Sequence, residues 1–180
     1  MRKSLSAVVA LLTVLVALAL GSTAAAAAGS PARSISAVNV LESEILVELN
    51  AVRRQHGLAP LRLAPSLGAA ADFHSRTMGQ HGFFGHDSRN GAQFWERVKR
   101  FYGAKGYNSW SVGENLLWAS PTPDAAEAIR LWMASPGHRK NILTARWREV
   151  GLSAVAVTNA PGVFGNRDVT IITTEFGVRG

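Results

Sequence analysis

Cysteine does not occur anywhere in the 180 residues. That excludes disulfide staples, a thiol nucleophile and a lipid anchor on a leader cysteine, so packing alone must hold the fold. Several local signatures are missing as well. There is no H-E-x-x-H zinc-protease helix, no G-x-S-x-G elbow, no phosphate loop and no dinucleotide fingerprint. Acidic residues are sparse, with 12 Asp and Glu against 19 Lys and Arg. Beyond residue 28 the chain shows no internal repeat and no low-complexity segment.

The start of the chain reads as an export signal. Arg2 and Lys3 open it, Leu5 to Leu20 is an almost unbroken apolar run, and Ser22 to Ala28 is small and Ala-rich with several A-x-A options. This pattern predicts a signal peptide over residues 1–28, cleaved after Ala28, and a secreted, extracellular product. The alternative is an uncleaved segment that holds the chain in the membrane. Without the leader, 17 basic residues face 12 acidic ones. The excess is scattered, with short clusters at Arg97-Val98-Lys99-Arg100 and Arg139-Lys140. A solvated basic face is the plain reading. Attraction to an anionic cell-envelope surface is the functional one. Nucleic acid is not an expected partner.

Residues 29–38 read as a flexible linker, and residues 39–178 as one domain. Leu41, Ile45, Leu49 and Val52 make the stripe of a first helix from Asn39 to His56. Arg53, Arg54 and His56 sit at its end as charges suited to the macrodipole. Ser66 is placed to cap a second helix running to about Gln80, with His74 as a core histidine on its apolar face. In the loop His81 to Asn90, Phe83 and Phe84 are expected to tuck inward and His86 to stand at a surface or cleft. A third helix, Gln93 to Tyr102, carries Phe94, Val98 and Phe101 on one face, with Glu96 off it. Val112-Gly113-Glu114-Asn115 is strand-like. Thr122 is placed to cap a further helix with Ala128, Ile129, Trp132 and Met133 inside, stopped by Pro136-Gly137. Trp95, Trp110, Trp118 and Trp132 are expected to be mostly core. Val150 to Val157 alternates and Val169 to Phe176 is β-branched, which predicts a hairpin. Helices first and strands later predict an α+β fold with an antiparallel sheet.

By elimination, the chemistry rests on two imidazoles and two carboxylates: His86, Glu96, Glu114 and His138. Such groups suit an open zinc site or a metal-free acid/base pair. Their spacing carries no local signature. Ser135 lies three residues before His138, where its expected role is to cap the turn through Pro136-Gly137.

Taken together, four segments resemble the CAP superfamily (SCP domain), the cysteine-rich secretory, antigen 5 and pathogenesis-related proteins. They are the helix Leu67 to Met78, the Phe83-Phe84-Gly85-His86 loop, Val112-Gly113-Glu114-Asn115, and Trp132-Met133-Ala134-Ser135-Pro136-Gly137-His138-Arg139-Lys140-Asn141-Ile142-Leu143. Glu149-Val150-Gly151-Leu152 and Glu175-Phe176-Gly177 resemble its closing strands. The resemblance implies a three-layer α-β-α sandwich with a central antiparallel sheet. It also implies a cleft in which His86, Glu96, Glu114 and His138 form a tetrad, supported by Asn115, Ser135 and Asn141. His86 and His138 become candidate ligands for zinc or another divalent metal. The expected function is an extracellular binding module for lipid, sterol or divalent metal. A metal- or His/Glu-assisted peptidase-like hydrolase is the alternative, and a structural envelope protein with a non-catalytic polar cleft is a further one. Binding is preferred to catalysis because no activated nucleophile is visible. The missing cysteines and the lack of a Cys-rich module place the chain with the single-domain bacterial secreted forms.

Overall fold

The computed structural model describes residues 32–180. The leader read in residues 1–28 lies outside them. Helix α1 runs from Asn39 to Gln55 and buries Leu41, Ile45 and Leu49, residues four apart on one face. Strand β1 (Ile35–Ala37) precedes it, so part of the expected linker is a sheet strand. Its backbone pairs antiparallel with Val155 to Val157. Arg53, read as a helix-end charge suited to the macrodipole, is fully buried. Its guanidinium donates to the carbonyls of Ala59, Ile142 and Thr144 at 2.9, 2.7 and 3.1 Å. Those acceptors offset part of the desolvation cost of the cation, whose Nη2 has no partner among the described residues, and tie the end of α1 to distant chain.

Strand β2 is the dipeptide Arg62–Leu63, and helix α2 spans Pro65–His81. Pro65, not Ser66, opens α2, where its missing N–H costs nothing. Gly82 ends α2 at φ 69°, and a Cβ there would stand 2.7 Å from the Pro161 carbonyl. Only glycine suits both demands. Helix α3 is Phe94–Phe101 and strand β3 is Trp110–Ala119. Helix α4 (Ala125–Ala134) is capped by Asp124, whose carboxylate accepts the Glu127 N–H at 2.7 Å. Thr122, the expected cap, instead exchanges a hydroxyl hydrogen bond with Thr170 at 2.7 Å. Pro136-Gly137 does end α4, but the same residues begin α5 (Pro136–Ile142). Pro at the first turn is as much a helix start as a stop. Strands β4 (Glu149–Ala160) and β5 (Arg167–Arg179) form the expected hairpin, longer at both ends.

The sheet order is β1-β4-β5-β3, with β2 parallel to the start of β4. Both faces are covered. Val150, Leu152 and Ala154 of β4, with Ile172 and Phe176 of β5, pack against Ile45 and Leu49 of α1 and Ile129 and Trp132 of α4. Val155, Val157, Val169 and Ile171 share the opposite face with Met78 of α2. Leu67 and Ala70 of α2 join Val98 and Tyr102 of α3 in a third cluster. This is a three-layer α-β-α sandwich around a largely antiparallel sheet. Each fully buried Leu or Ile contributes about 1.5–3 kcal/mol, which is how a chain without disulfides stays folded. Trp132 and Trp147 are in the core, whereas Trp95 is 38% exposed and Trp110 and Trp118 are half-buried. The expectation that most tryptophans between 95 and 132 are core therefore fails. Phe84 also stays 37% exposed, while Phe83 turns in against the His74 ring. Among the described residues, no helix is long and apolar enough to cross a membrane.

Candidate functional site

Strand β3 forms one edge of the sheet, antiparallel to β5, with Glu114 directly opposite Glu175. Successive strand residues point to opposite faces. Glu114 therefore projects toward α2 and α3, and Asn115 toward α5. The two layers meet the site from opposite sides of one dipeptide.

On the α5 side, the Asn115 amide donates to the His138 carbonyl at 3.1 Å. The Asn141 amide donates to the Glu114 carbonyl at 2.9 Å and to the Asn115 side-chain oxygen at 3.0 Å. These bonds fasten α5, and with it His138, to the sheet edge. Gly113 makes room: a Cβ there would come 3.1 Å from the Asn141 oxygen. Ser135 precedes Pro136 in extended conformation, and its hydroxyl caps neither neighbouring helix.

On the other side, His86 Nδ1–H donates to Glu114 Oε1 at 2.8 Å. That bond fixes the tautomer and leaves the Nε2 edge outward, with half of the side chain exposed. The second Glu114 oxygen accepts from the Arg97 guanidinium. Arg97 also donates to the His86 carbonyl at 2.9 Å and reaches Glu175 Oε1 at 3.4 Å. Glu114, Arg97 and Glu175 are each at most 3% exposed. Burial and the charge of the neighbouring Glu114 push the Glu175 carboxyl well above the usual range. Of the two facing carboxyls, Glu175 is therefore the one that holds its proton. Burial raises Glu114 to about 7, against the pull of Arg97. The cluster is then one cation, one anion and one neutral acid, a charge balance that a dry interior tolerates. Burial lowers both His86 and His138, which favours the neutral imidazole at each.

His86, Glu114 and His138 are thus brought to the β3 edge, and Glu96 is not. Glu96 is exposed on α3. The buried groups beside Glu114 are Arg97 and Glu175, which the sequence reading passed over. Arg97 did carry a signal. It lies three residues after Phe94 and four before Phe101, on the apolar stripe, where a charge demands a partner. Glu175 had only strand alternation to mark it.

The residues do not fit a metal centre. Glu114 has one oxygen on His86 and the other on Arg97, and Glu96 stands apart. Among the described residues, no three His, Asp or Glu side chains gather as a metal-ion site. Two imidazole edges remain, fewer than the three protein ligands of an open zinc site.

The sandwich with a His-bearing loop and a short Pro-initiated helix closing on a G-E-N strand defines a class: α-β-α modules with a polar cluster at a sheet edge. The chain belongs to the cysteine-rich secretory protein (CAP) family, whose pattern matches residues 46–166. It is 32% identical over 120 residues to the uncharacterized protein YkwD of Bacillus subtilis, covering 67% of this chain and 44% of that protein. The uncharacterized membrane protein YlbC of the same organism is 29% identical over 111 residues, covering 62% of this chain and 30% of that one. The chain therefore spans less than half the length of these curated relatives. An extracellular Bacillus anthracis protein containing an SCP domain superposes with TM-score 0.59 and 27% identity, over 77% of this chain and 40% of that one. An outer surface protein of Borrelia burgdorferi shares the fold at TM-score 0.68 and 16% identity, over 82% of this chain and 98% of that one.

Proposed function

We propose that this protein is an exported, non-catalytic binding module for a lipid- or sterol-like amphiphile. The observation that carries the reading is an apolar groove of about 440 Å³ between α1, β2, the start of α2 and β4. Leu46, Val47, Leu63, Pro65 and Leu152 line it. Val47 and Leu63 are each 61% exposed, an unusual position for two large apolar side chains at one rim. The volume suits a medium-sized apolar ligand. Glu42 stands in the groove, its pKa raised by burial, with Oε1 accepting the Ala154 N–H at 2.8 Å. Its other oxygen is the polar handle for a hydroxyl headgroup.

Hydrolysis is the weaker reading. A general base needs an oxygen free to take a proton, and both Glu114 oxygens are occupied. The cleft reads better as a lock that joins α3, β3, β5 and the His86 loop. The leader, the CAP family and the extracellular relative support an extracellular location.

The test is titration of the purified protein with a fluorescent fatty acid and a fluorescent sterol. Val47→Asp with Leu63→Asp is expected to weaken binding at least tenfold without lowering Tm, because both side chains are exposed. Unchanged affinity, or no saturable binding of either probe, refutes the groove. Turnover of a peptide or ester library that Glu114→Gln abolishes in folded protein would restore the hydrolase.

A further inference from the structure

We infer that a second site, behind the Arg97–Glu114 pair, binds a phosphate group. A cavity of about 200 Å³ lies between α2, the loop after it and α3. Arg89, Arg97 and Arg100 line it, with His81, Ser88 and Thr77. No Asp or Glu is among the described residues that line it. The neighbouring Asp87 carboxylate accepts the Phe94 N–H at 3.3 Å.

Arg97 separates this cavity from an ordinary basic patch. Its side chain is 1% exposed. One terminal nitrogen serves the His86 carbonyl and the other the two carboxyls. Its Nε is buried without a hydrogen-bond partner among the described residues. That N–H is donor capacity the protein leaves unused, on a side chain that also lines the cavity. Arg89 and Arg100 are exposed at the mouth, and Arg89 Nη1 lies 3.5 Å from His81 Nδ1. Three guanidinium forks around a small cavity match the several acceptor oxygens of a tetrahedral oxyanion. Arg97 is shared, so an anion held there braces the carbonyl of His86 and the Glu114 carboxylate through one side chain.

The experiment follows the side-chain Nε–H resonances of the arginines by NMR while inorganic phosphate is added at constant ionic strength. A saturable shift of the Arg97 Nε–H is expected. Arg89→Gln with Arg100→Gln should weaken it at least tenfold, and both changes lie on exposed residues that leave the fold intact. Arg139→Gln with Lys140→Gln, which removes equal charge elsewhere, should leave it within about twofold. No saturable shift, the same shift with chloride, or equal weakening by both double variants overturns the site. Phosphatidylglycerol vesicles that displace inorganic phosphate, where phosphatidylcholine vesicles do not, make the source a lipid headgroup. Displacement by neither makes it soluble phosphate. Either result upholds the site, and neither depends on the apolar groove.

Discussion

Arg97 stands between two carboxyl groups, and only one of these carries charge. The consequence is asymmetric. Arg97→Leu leaves the Glu114 carboxylate buried without its cation, an expected loss of about 3–5 kcal/mol. Glu175→Gln replaces a neutral acid with a neutral amide of nearly the same shape, and should cost under about 1 kcal/mol. Urea unfolding of both variants checks the pair, and equal costs would refute the proton assignment. His74 supplies a pH dependence. It is buried, its Nε2–H donates to the Gly85 carbonyl at 2.9 Å, and burial lowers its pKa to about 3. The unfolded chain protonates near the ordinary 6.5 and the folded chain only near 3. Its contribution is therefore full above 6.5 and is lost as pH falls, by at most ~1.4 kcal/mol per pH unit. Glu175 acts in the opposite sense: its raised pKa contributes stability at low pH that is lost as pH rises above the ordinary 4.5. His74→Gln keeps a donor and removes the titration, so its stability should fall less than that of wild type between about pH 6 and 4. Denaturation curves at several pH values read this directly, and parallel pH profiles would count against it. Among these residues, His86, Glu114 and His138 were readable from their motifs. Arg97 stood on the apolar stripe of α3, but its place within a short basic cluster made it read as part of a solvated face.

The elements hold the site through close approach. Strand β4 lies so near α2 that a Cβ on Gly151 would sit 2.0 Å from the Leu67 carbonyl carbon and 2.2 Å from the Gly68 nitrogen. Both are backbone atoms that cannot swing aside. Gly151→Ala is expected to cost about 3 kcal/mol. At Gly113 the nearest atoms belong to the Trp147 and Asn141 side chains, 3.0 and 3.1 Å away. Gly113→Ala should cost about 1 kcal/mol or less. Comparing the two Tm values tests the difference, and reversed ranking would mean that the layers are spaced otherwise. Helix stripes and the β4–β5 alternation were legible because periods of 3.6 and 2 follow from local geometry. Three boundaries were not. A Pro-Gly pair reads as a stop until the chain beyond it coils again as α5. Ile35 to Ala37 has no strand signature strong enough to outweigh its polar surroundings, and only the open edge of β4 makes it β1. Thr122 and Asp124 are both good caps, and packing of Thr122 against Thr170 decides between them.

Over the whole molecule, one sheet serves two different surfaces. Its α1 side offers the apolar groove, and its β3 edge offers the polar cluster. Two free imidazole edges do not complete a zinc site, so zinc added to chelator-treated protein is expected to leave Tm unchanged. A rise that disappears in His86→Ala with His138→Ala would show that a metal does bind there. The amino-acid order alone determined the α+β class, the first four helices, the hairpin and the family, because these rest on periodicity and on contiguous motifs. It also placed Glu114 and His138 in those motifs. Only the tertiary structure decided which charged neighbours Glu114 meets. Strand register puts Glu175 opposite it, and the docking of α3 turns Arg97 inward and Glu96 out. Register and docking depend on contacts between residues up to 78 positions apart, which no local pattern encodes.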